Sequence, residues 1–417
     1  MTHRHLKVAV FWCIAFISIY YLLVDVTNHD KEIDRNHVHG DFLQITGNPN
    51  INCEKIFLKD DYAIHKTATL AIIAKNNYRL TEQSYIEMTK NCSKFQSERG
   101  YIKQPITDEE AQFPVAMGIL VYRHVDQVER LLRIIYRPQN IYCIHVDLKS
   151  RDIFHEAINA IANCFDNVIV STKMFAVSWA EPTMLLADLQ CMQDLWNTGH
   201  NWKYFLNLAG SEFPLRTNLE IVKILKIFNG FNDVEGTIKR VSKERWQSVI
   251  ATIPANLQPI KGNFHIAVNR HFVEYVMTNR TSADLLSWVL DTHFPEETYY
   301  ATLNHNPQLG IKGSYAGDFE RKQYLGRHTV WKHFPLTEAC HGEFVNGVCV
   351  FDLEDLFAIR SRPELFVNKF DISRSFAFDC LEEWVVNRTK EEIFGHSHFN
   401  ATFYQTFIGP LVHDTLA

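Results

Sequence analysis

The strongest constraint on the fold is a strand–helix–strand pattern in the first half of the chain. Val115–Val121 is an unbroken run of apolar and small residues of strand length, as in a strand covered on both faces. Apolar residues then recur at helical spacing over Val125–Ile135, and Ile141–Val146 is a second short apolar run. This order predicts a right-handed βαβ unit with two parallel strands. Because ligands bind beyond the carboxyl ends of such strands, we expect a site near Tyr122 and Asp147.

Further patterns define the fold class and exclude some ligands. Neither GxGxxG nor GxxxxGK[ST] occurs, so the usual phosphate-binding loops are absent from the sequence. The 42 Lys and Arg residues against 48 Asp and Glu give a formal charge of −6 without a long basic block, which argues against a nucleic-acid partner. Thr217 and Glu220 form a capping box that predicts a helix start. Alternating helix and strand patterns up to Gly230 predict an α/β domain with a largely parallel central sheet.

The N-terminus has the pattern of a membrane anchor. Residues 1–7 carry Arg4 and Lys7, and 8–24 is an apolar run without a formal charge. The run is at the short end for a membrane-spanning helix, and the positive charges before it keep that end cytoplasmic. A cleaved signal peptide is the alternative, but the run is long and bulky and no small-x-small site follows it. We expect a cytoplasmic tail (1–7), a signal anchor (8–24), a lumenal stem (25–105) and a main folded domain (106–417).

Cysteine usage agrees with an oxidising compartment. Cys13 lies in the apolar run, and the other eight cysteines are even in number and form no CxxC pair, so disulfides are expected rather than zinc. Spacing alone leaves their connectivity open. The N-x-S/T sequons, which fit passage through the secretory pathway, begin at Asn91, Asn279, Asn387 and Asn400.

Two adjacent carboxylates are candidates for acid–base chemistry. Glu296 and Glu297 follow Pro295 at the start of a predicted helix. Acidic residues at this place commonly do no more than complement the helix dipole. The functional alternative is a general base, since the same dipole keeps a glutamate ionised, as a proton acceptor requires.

Five segments are specific enough to indicate a family. They are PQNIYCIHVDLKS, NWKYFLNLAGSEFPLRTNLEIVKIL, KERW, DTHFPEETYYATL and LFVNKFD. In this order they resemble the core 2 β-1,6-N-acetylglucosaminyltransferase family of mucin-type O-glycan branching enzymes, over most of 106–385. The related peptide xylosyltransferases share part of the pattern. The resemblance implies a GT-A-like glycosyltransferase fold in the Golgi lumen, with 106–417 as a catalytic domain that inverts the anomeric centre without a metal.

The resemblance also implies roles for individual residues. Glu297 matches the family's base, which takes the proton from the 6-hydroxyl of GalNAc as that oxygen attacks the donor's anomeric carbon. The expected contacts to the uridine nucleotide are Leu120, Val121, Tyr122, Asp147, Leu148 and Lys149, with Lys369 as a cation for the diphosphate. The expected contacts to the acceptor are Glu235, Lys243, Arg245, Trp331 and His333. The expected disulfides are Cys53–Cys380, Cys92–Cys164, Cys143–Cys191 and Cys340–Cys349.

Residue spacing gives no indication of a metal site. Asp147 is followed by Leu148 and Lys149, whereas a divalent-metal site for a nucleotide sugar normally shows D-x-D there. The acidic cluster at 352–355 is better explained as a solvated face. We predict no catalytic metal, so fixed lysine and arginine side chains are expected to stabilise the departing diphosphate.

Some positions depart from the family pattern. Asn346 stands where the family has a second diphosphate cation, an arginine. The candidates to replace that arginine are Arg360, Arg362 and Arg374. Ala176 stands for a tyrosine that contacts the donor, and His333 for a tyrosine near the acceptor. UDP-GlcNAc is the expected donor and UDP-glucose the alternative, with an O-glycosylated glycoprotein as acceptor. A non-catalytic lectin or scaffold is a second reading of the chain, and a xylosyltransferase is a third.

Overall fold

The fold is built around two sheets and a hairpin. The computed structural model describes residues 50–74, 79–242, 244–247, 249–332, 339–397 and 399–415. Its strands are β1 (Val115–Val121), β2 (Ile141–Val146), β3 (Val168–Val170), β4 (Tyr204–Ala209), β5 (Glu212–Pro214), β6 (Ala267–Asn269), β7 (Arg327–His328), β8 (Glu343–Val345), β9 (Val348–Val350) and β10 (Phe366–Asn368).

Helices cover both faces of the main sheet and both ends of the described chain. They are α1 (Cys53–Phe57), α2 (Asp61–Ala74), α3 (Glu82–Met88), α4 (Cys92–Glu98), α5 (Asp108–Ala111), α6 (Val125–Ile135), α7 (Asp152–Ala162), α8 (Pro182–Asn197), α9 (Asn218–Phe228), α10 (Glu244–Gln247), α11 (Arg270–Thr278), α12 (Arg280–Val289), α13 (Glu296–Asn304), α14 (Leu356–Ile359), α15 (Ala377–Ile393) and α16 (Ala401–His413). Short 3₁₀ turns lie at Pro254–Asn256, Pro307–Leu309 and Leu353–Asp355.

The central strand of the main sheet is β1, in the order β3-β2-β1-β4-β6. The pairs β1–β2, β1–β4 and β2–β3 are parallel, and only the edge pair β4–β6 is antiparallel within this sheet. A second sheet has the order β5-β10-β7, and β8 pairs with β9 as a hairpin. The α/β class and the largely parallel central sheet that the sequence predicted are therefore confirmed.

The main sheet is buried on both faces, which explains why its strands are mainly apolar. Side chains alternate between the faces of a strand. Met117 and Ile119 of β1 pack into a core shared with α6, α7, α9 and α15. Ala116 and Cys143 pack into a second core with α8, α11, α12 and α13. The predicted capping box is present, since the Thr217 hydroxyl accepts a hydrogen bond from Glu220 N and the Glu220 carboxylate accepts one from Thr217 N.

The described part of the predicted stem belongs to the folded domain, which corrects the boundary expected at residue 105. Phe57, Tyr85 and Phe95 of α1, α3 and α4 are buried in the same core as β1. Cys53 at the start of α1 is bonded to Cys380 on α15. The folded unit therefore begins at or before Cys53, because these helices bury aromatic side chains against the sheet domain.

A buried network of charges joins helices from distant parts of the chain. On α6, Arg130 and Arg133 both bind the Glu382 carboxylate of α15. One turn away, Glu129 binds Arg99, which follows α4. Burial disfavours the charged form of Glu382, yet the two guanidinium groups hold its pKa at about 2. A buried charge is costly unless it is paired, so these partners hold the helices together.

The structure joins the eight cysteines in the four pairs implied by the resemblance. Cys143–Cys191 ties β2 to α8, and Cys340–Cys349 closes the hairpin region. Of the sequon residues, Asn91, Asn387 and Asn400 are exposed and Asn279 is half-buried. The expected tail 1–7, anchor 8–24 and first part of the stem lie outside the described residues. Among the helices of the described ranges, none is long and apolar enough to cross a membrane.

The substitution Glu382→Gln is expected to destabilise the fold strongly. It leaves two buried guanidinium groups without their shared carboxylate, which costs about 3–5 kcal/mol for a broken buried pair. Urea unfolding at neutral pH measures the change. Glu98→Gln, which removes an exposed carboxylate on α4, is the control and is expected to leave the unfolding midpoint unchanged. An equally small effect of Glu382→Gln contradicts the role given to the network.

Candidate active site

A cavity of about 1110 Å³ lies where the carboxyl ends of β1, β2 and β4 meet the second sheet and the start of α13. Tyr122, Asp147 and Gly210, which follow those three strands, line one side. Glu297 and Lys369 line other parts of the wall. Parallel strands place their carboxyl ends at one edge, and the site expected from the βαβ pattern is at that edge.

The residues expected to bind the nucleotide are held by backbone contacts between the strand ends. Asp147 N donates to Val121 O at 2.9 Å, and the Asp147 carboxylate accepts from Lys149 N at 2.8 Å. Lys149 Nζ reaches Val177 O at 2.5 Å, so its ammonium closes one side of the cavity. Tyr122 lines the cavity and is 56% exposed.

Most of this expected set lies in the cavity wall. Leu120, Val121, Tyr122, Asp147 and Lys149 line it. Leu148 is exposed and lies outside the lining, so its side chain is not placed at the site in this structure.

The proposed base is held by two cations. Glu297 Oε2 is 2.7 Å from Arg245 Nη2 and 3.4 Å from Lys261 Nζ. Arg245 Nη1 also donates to Phe294 O at 3.3 Å, just before α13 begins. The Glu297 carboxylate is therefore oriented by partners on two separate segments, and one of them, Arg245, is an expected acceptor contact.

Helix α13, which carries the base, is anchored to the sheet by a buried polar contact. Tyr300 lies one turn after Glu297, and its hydroxyl donates to Asp188 Oδ2 of α8 at 2.6 Å. Asn207 of β4 donates to the same oxygen at 3.0 Å. Burial raises the pKa of Asp188 to about 7. This contact fixes the distance between the base helix and the strand that borders the cavity.

Glu296 differs from Glu297 although the two are adjacent. Its side chain is buried, and its Oε2 has no hydrogen-bond partner in the described part of the chain. Burial raises the pKa of Glu296 to about 7, and the charge of Glu297 raises it as well. Glu297 is thus ion-paired in the cavity wall, while Glu296 holds a proton below about pH 7.

The cation expected at the diphosphate lies next to the hairpin. Lys369 follows β10, and its Nζ donates to Val345 O of β8 at 2.9 Å. Burial lowers the pKa of Lys369, and the positive charge of Arg123 lowers it further. Asn346 lines the cavity from the hairpin turn, with φ at 54°. The ammonium is therefore beside the position at which the family pattern has an arginine.

The candidates to replace that arginine lie in different surroundings. Arg362 lines the cavity but is bound to the Glu364 carboxylate through two nitrogens. Arg374 pairs with Glu343 and Asp371, and Arg360 contacts Phe57 O at 3.5 Å; both lie outside the cavity lining.

The acceptor set is brought together only in part. Glu235, Arg245 and Trp331 all line the cavity, and the Trp331 side chain is 39% exposed. Glu235 lies 3.8 Å from the guanidinium of Arg240, which also lines the cavity. Lys243 and His333 lie outside the described residues, so their expected roles stay predictions.

Three further residues belong to the cavity wall although the sequence did not single them out. Trp179 is 60% exposed, and its ring meets the ring of Phe294 edge-on at a centroid distance of 5.0 Å. The Arg245 guanidinium covers Phe294 at 4.9 Å. The sequence could have indicated Trp179, because it is an aromatic residue in the loop before α8 and loops at strand ends carry binding residues. No local sequence pattern marks Lys261 as a site residue.

The described residues show no group of three or more His, Cys, Asp or Glu side chains arranged to hold a metal ion. Of the carboxylates in the cavity wall, Glu297 is paired with Arg245 and Glu235 lies near Arg240. Each of these two carboxylates in the wall therefore lies beside a cation.

The substitution Glu296→Gln is expected to change how stability depends on pH. Because the pKa of Glu296 rises from its ordinary 4.5 to about 7, the folded state keeps a proton that the unfolded state loses between these values. Wild-type stability therefore falls relative to the variant as pH rises through this range, by roughly 1–3 kcal/mol. Urea unfolding of both proteins at several pH values measures the difference. A difference that stays constant with pH contradicts this assignment.

Known proteins resemble the chain over most of its length. Residues 115–360 match the sequence model described as Core-2/I-Branching enzyme. The chain is 36% identical over 381 residues to a beta-1,3-galactosyl-O-glycosyl-glycoprotein beta-1,6-N-acetylglucosaminyltransferase of Homo sapiens, covering 84% of this chain and 89% of that protein. Its namesake from Bos taurus is 35% identical over 410 residues, covering 92% and 95%. A third relative, numbered 3 under this name in Homo sapiens, is 33% identical over 371 residues, covering 82% and 84%. The chain therefore belongs to the core-2/I-branching enzyme family.

Proposed function

We propose that this protein is an inverting glycosyltransferase that moves GlcNAc from UDP-GlcNAc to the 6-hydroxyl of GalNAc in core 1 O-glycans of glycoproteins. The observation that carries the proposal is the Glu297 carboxylate, held by Arg245 and Lys261 in the wall of the cavity that Tyr122 and Asp147 border. A proton acceptor and a nucleotide-sized strand-end site thus share one cavity. The relatives' names describe β-1,6-N-acetylglucosaminyl transfer to a β-1,3-galactosyl-O-glycosyl-glycoprotein for those proteins, which supports the proposal.

The proposed reaction is a single displacement. The Glu297 carboxylate accepts the proton of the GalNAc 6-hydroxyl while that oxygen forms a bond to the anomeric carbon of the donor sugar. The bond from that carbon to the UDP oxygen breaks on the opposite side, which inverts the configuration. UDP leaves with the bonding electron pair, and Lys369, which lines the cavity, stabilises its developing negative charge.

We also propose that the reaction needs no metal and takes place in the Golgi lumen. Fixed cations in the cavity wall support the first point, since they can neutralise a diphosphate without an ion. Four disulfides support an oxidising compartment. The anchor at 8–24 holds the protein in the Golgi membrane with the catalytic domain on the lumenal side.

The substitution Glu297→Gln is expected to lower kcat by roughly two to four orders of magnitude, because the amide cannot accept the proton. Transfer from UDP-GlcNAc to a Gal-β-1,3-GalNAc acceptor, with linkage analysis of the product, measures the effect. UDP affinity of the variant is the control for an intact nucleotide site and is expected to match wild type. Full activity of the variant removes Glu297 from the role of base.

Removal of divalent metals is expected to leave the activity unchanged. The same transfer reaction is run with and without an excess of EDTA, after prior dialysis against the chelator. Parallel reactions with UDP-glucose test the alternative donor. Activity that is lost in EDTA and restored by added Mn²⁺ or Mg²⁺ contradicts the metal-free mechanism.

A further inference from the structure

The cavity has a second fixed cation beside Lys369, on the strand side of the wall. Arg123 is the second residue after β1, lines the cavity, and is half-exposed. Its guanidinium lies 5.0 Å from the centre of the Tyr122 ring and binds Asp371 Oδ2 at 3.0 Å. The carboxyl end of a central parallel strand is the usual place for ligand contacts.

Arg123 and Lys369 both line the cavity, and Arg123 binds Asp371, which is two residues after Lys369. Besides burial, the positive charge of Arg123 lowers the pKa of Lys369. Asp371 lies near both and offsets part of their charge. Two like charges held together in a cavity wall are destabilising until an anion is placed between them.

The other arginines of the cavity wall lie beside carboxylates of the protein. Arg327 is buried, with its guanidinium bonded to Glu212 and to Asn207 O. Arg245 is bound to Glu297, and Arg362 to Glu364. Arg240 lies near Glu235.

Asp371, the carboxylate that Arg123 binds, has several other partners. The Asp371 carboxylate also accepts hydrogen bonds from Ser373 N at 3.0 Å and from Arg374 Nε at 3.3 Å. His124 Nε2 is a further neighbour of Asp371, at 3.4 Å. Because Asp371 has these partners, Arg123 can turn toward an anion without leaving a buried carboxylate unpaired.

We propose that Arg123 is the second cation of the diphosphate subsite and, with Lys369, binds the diphosphate of the nucleotide sugar. It supplies the charge that Asn346 lacks at the hairpin. A guanidinium can bind two phosphate oxygens at once, which suits a diphosphate better than a single ammonium does. The inference rests on the proposed function, since it takes a uridine diphosphate as the ligand.

The test compares UDP with uridine, which lacks the phosphates. Binding of each to the intact protein is measured by calorimetry at low salt, for wild type, Arg123→Gln and Arg123→Lys. Arg123→Gln is expected to weaken UDP binding roughly ten- to a hundredfold while leaving uridine binding unchanged, since a charge-assisted hydrogen bond is lost. Arg123→Lys is expected to recover part of the loss. UDP binding by wild type is also expected to weaken more with added salt than that of Arg123→Gln.

A matched control removes an arginine charge away from the cavity. Arg280→Gln on α12 changes a side chain that is 94% exposed and keeps the sequon at Asn279. Its UDP and uridine affinities are expected to equal those of wild type. Thermal unfolding of each variant checks that the fold is retained.

The outcomes separate the inference from the function on which it rests. Wild type that binds neither UDP nor uridine overturns both. Wild type that binds both ligands, together with an unchanged ratio of UDP to uridine affinity in Arg123→Gln, overturns the role of Arg123 alone. If Arg123→Gln weakens uridine as much as UDP, the side chain shapes the nucleotide site rather than binding the diphosphate, and the inference is wrong.

Discussion

The buried ion pairs of α6 determine much of the arrangement around the cavity. Arg130 and Arg133 lie inside the protein, where an unpaired guanidinium is very costly, and Glu382 of α15 pairs with both of them. Arg99 is bound in the same way to Glu129. Because only three residues separate the end of β1 from the start of α6, these contacts also limit how the end of that strand can move. The strand end that borders the cavity is therefore held by residues near both ends of the described chain.

The cavity itself is organised by pairing opposite charges at two places in its wall. Glu297 on α13 is held by Arg245 and Lys261, and Tyr300 ties the same helix to Asp188 below it. Near the carboxyl end of β1, the two cations Arg123 and Lys369 share one nearby carboxylate, Asp371, which leaves positive charge for a ligand. A proton acceptor and an excess of positive charge in one cavity suit a reaction in which a hydroxyl loses a proton and a diphosphate leaves.

Local patterns predicted the parts of the fold that local physics decides. The buried runs of β1 and β2, the capping box at Thr217 and the first turn of α13 are visible in a few consecutive residues, and the structure has all of them. The folded state of the segment after Cys53 is decided by contacts such as Arg79 with Asp379, 300 residues apart, which no local pattern contains. Lys261 escaped prediction for the same reason. Family resemblance named Glu297 and Lys369, but only the fold shows that Arg123 lines the same cavity and binds Asp371, two residues after Lys369.

The positions of Asn346 and Arg123 show why a charge at the strand end has a structural advantage. Asn346 and Gly347 both have positive φ, at 54° and 77°, and an Asn-Gly pair suits the tight turn between β8 and β9. A residue with a longer charged side chain at position 346 has to adopt a backbone conformation that non-glycine residues adopt at a cost. Arg123 instead follows a strand that is paired on both sides and precedes a helix held by buried ion pairs. Its backbone is fixed before any ligand arrives, and electrostatic stabilisation of a leaving group is most effective when the charge needs little rearrangement.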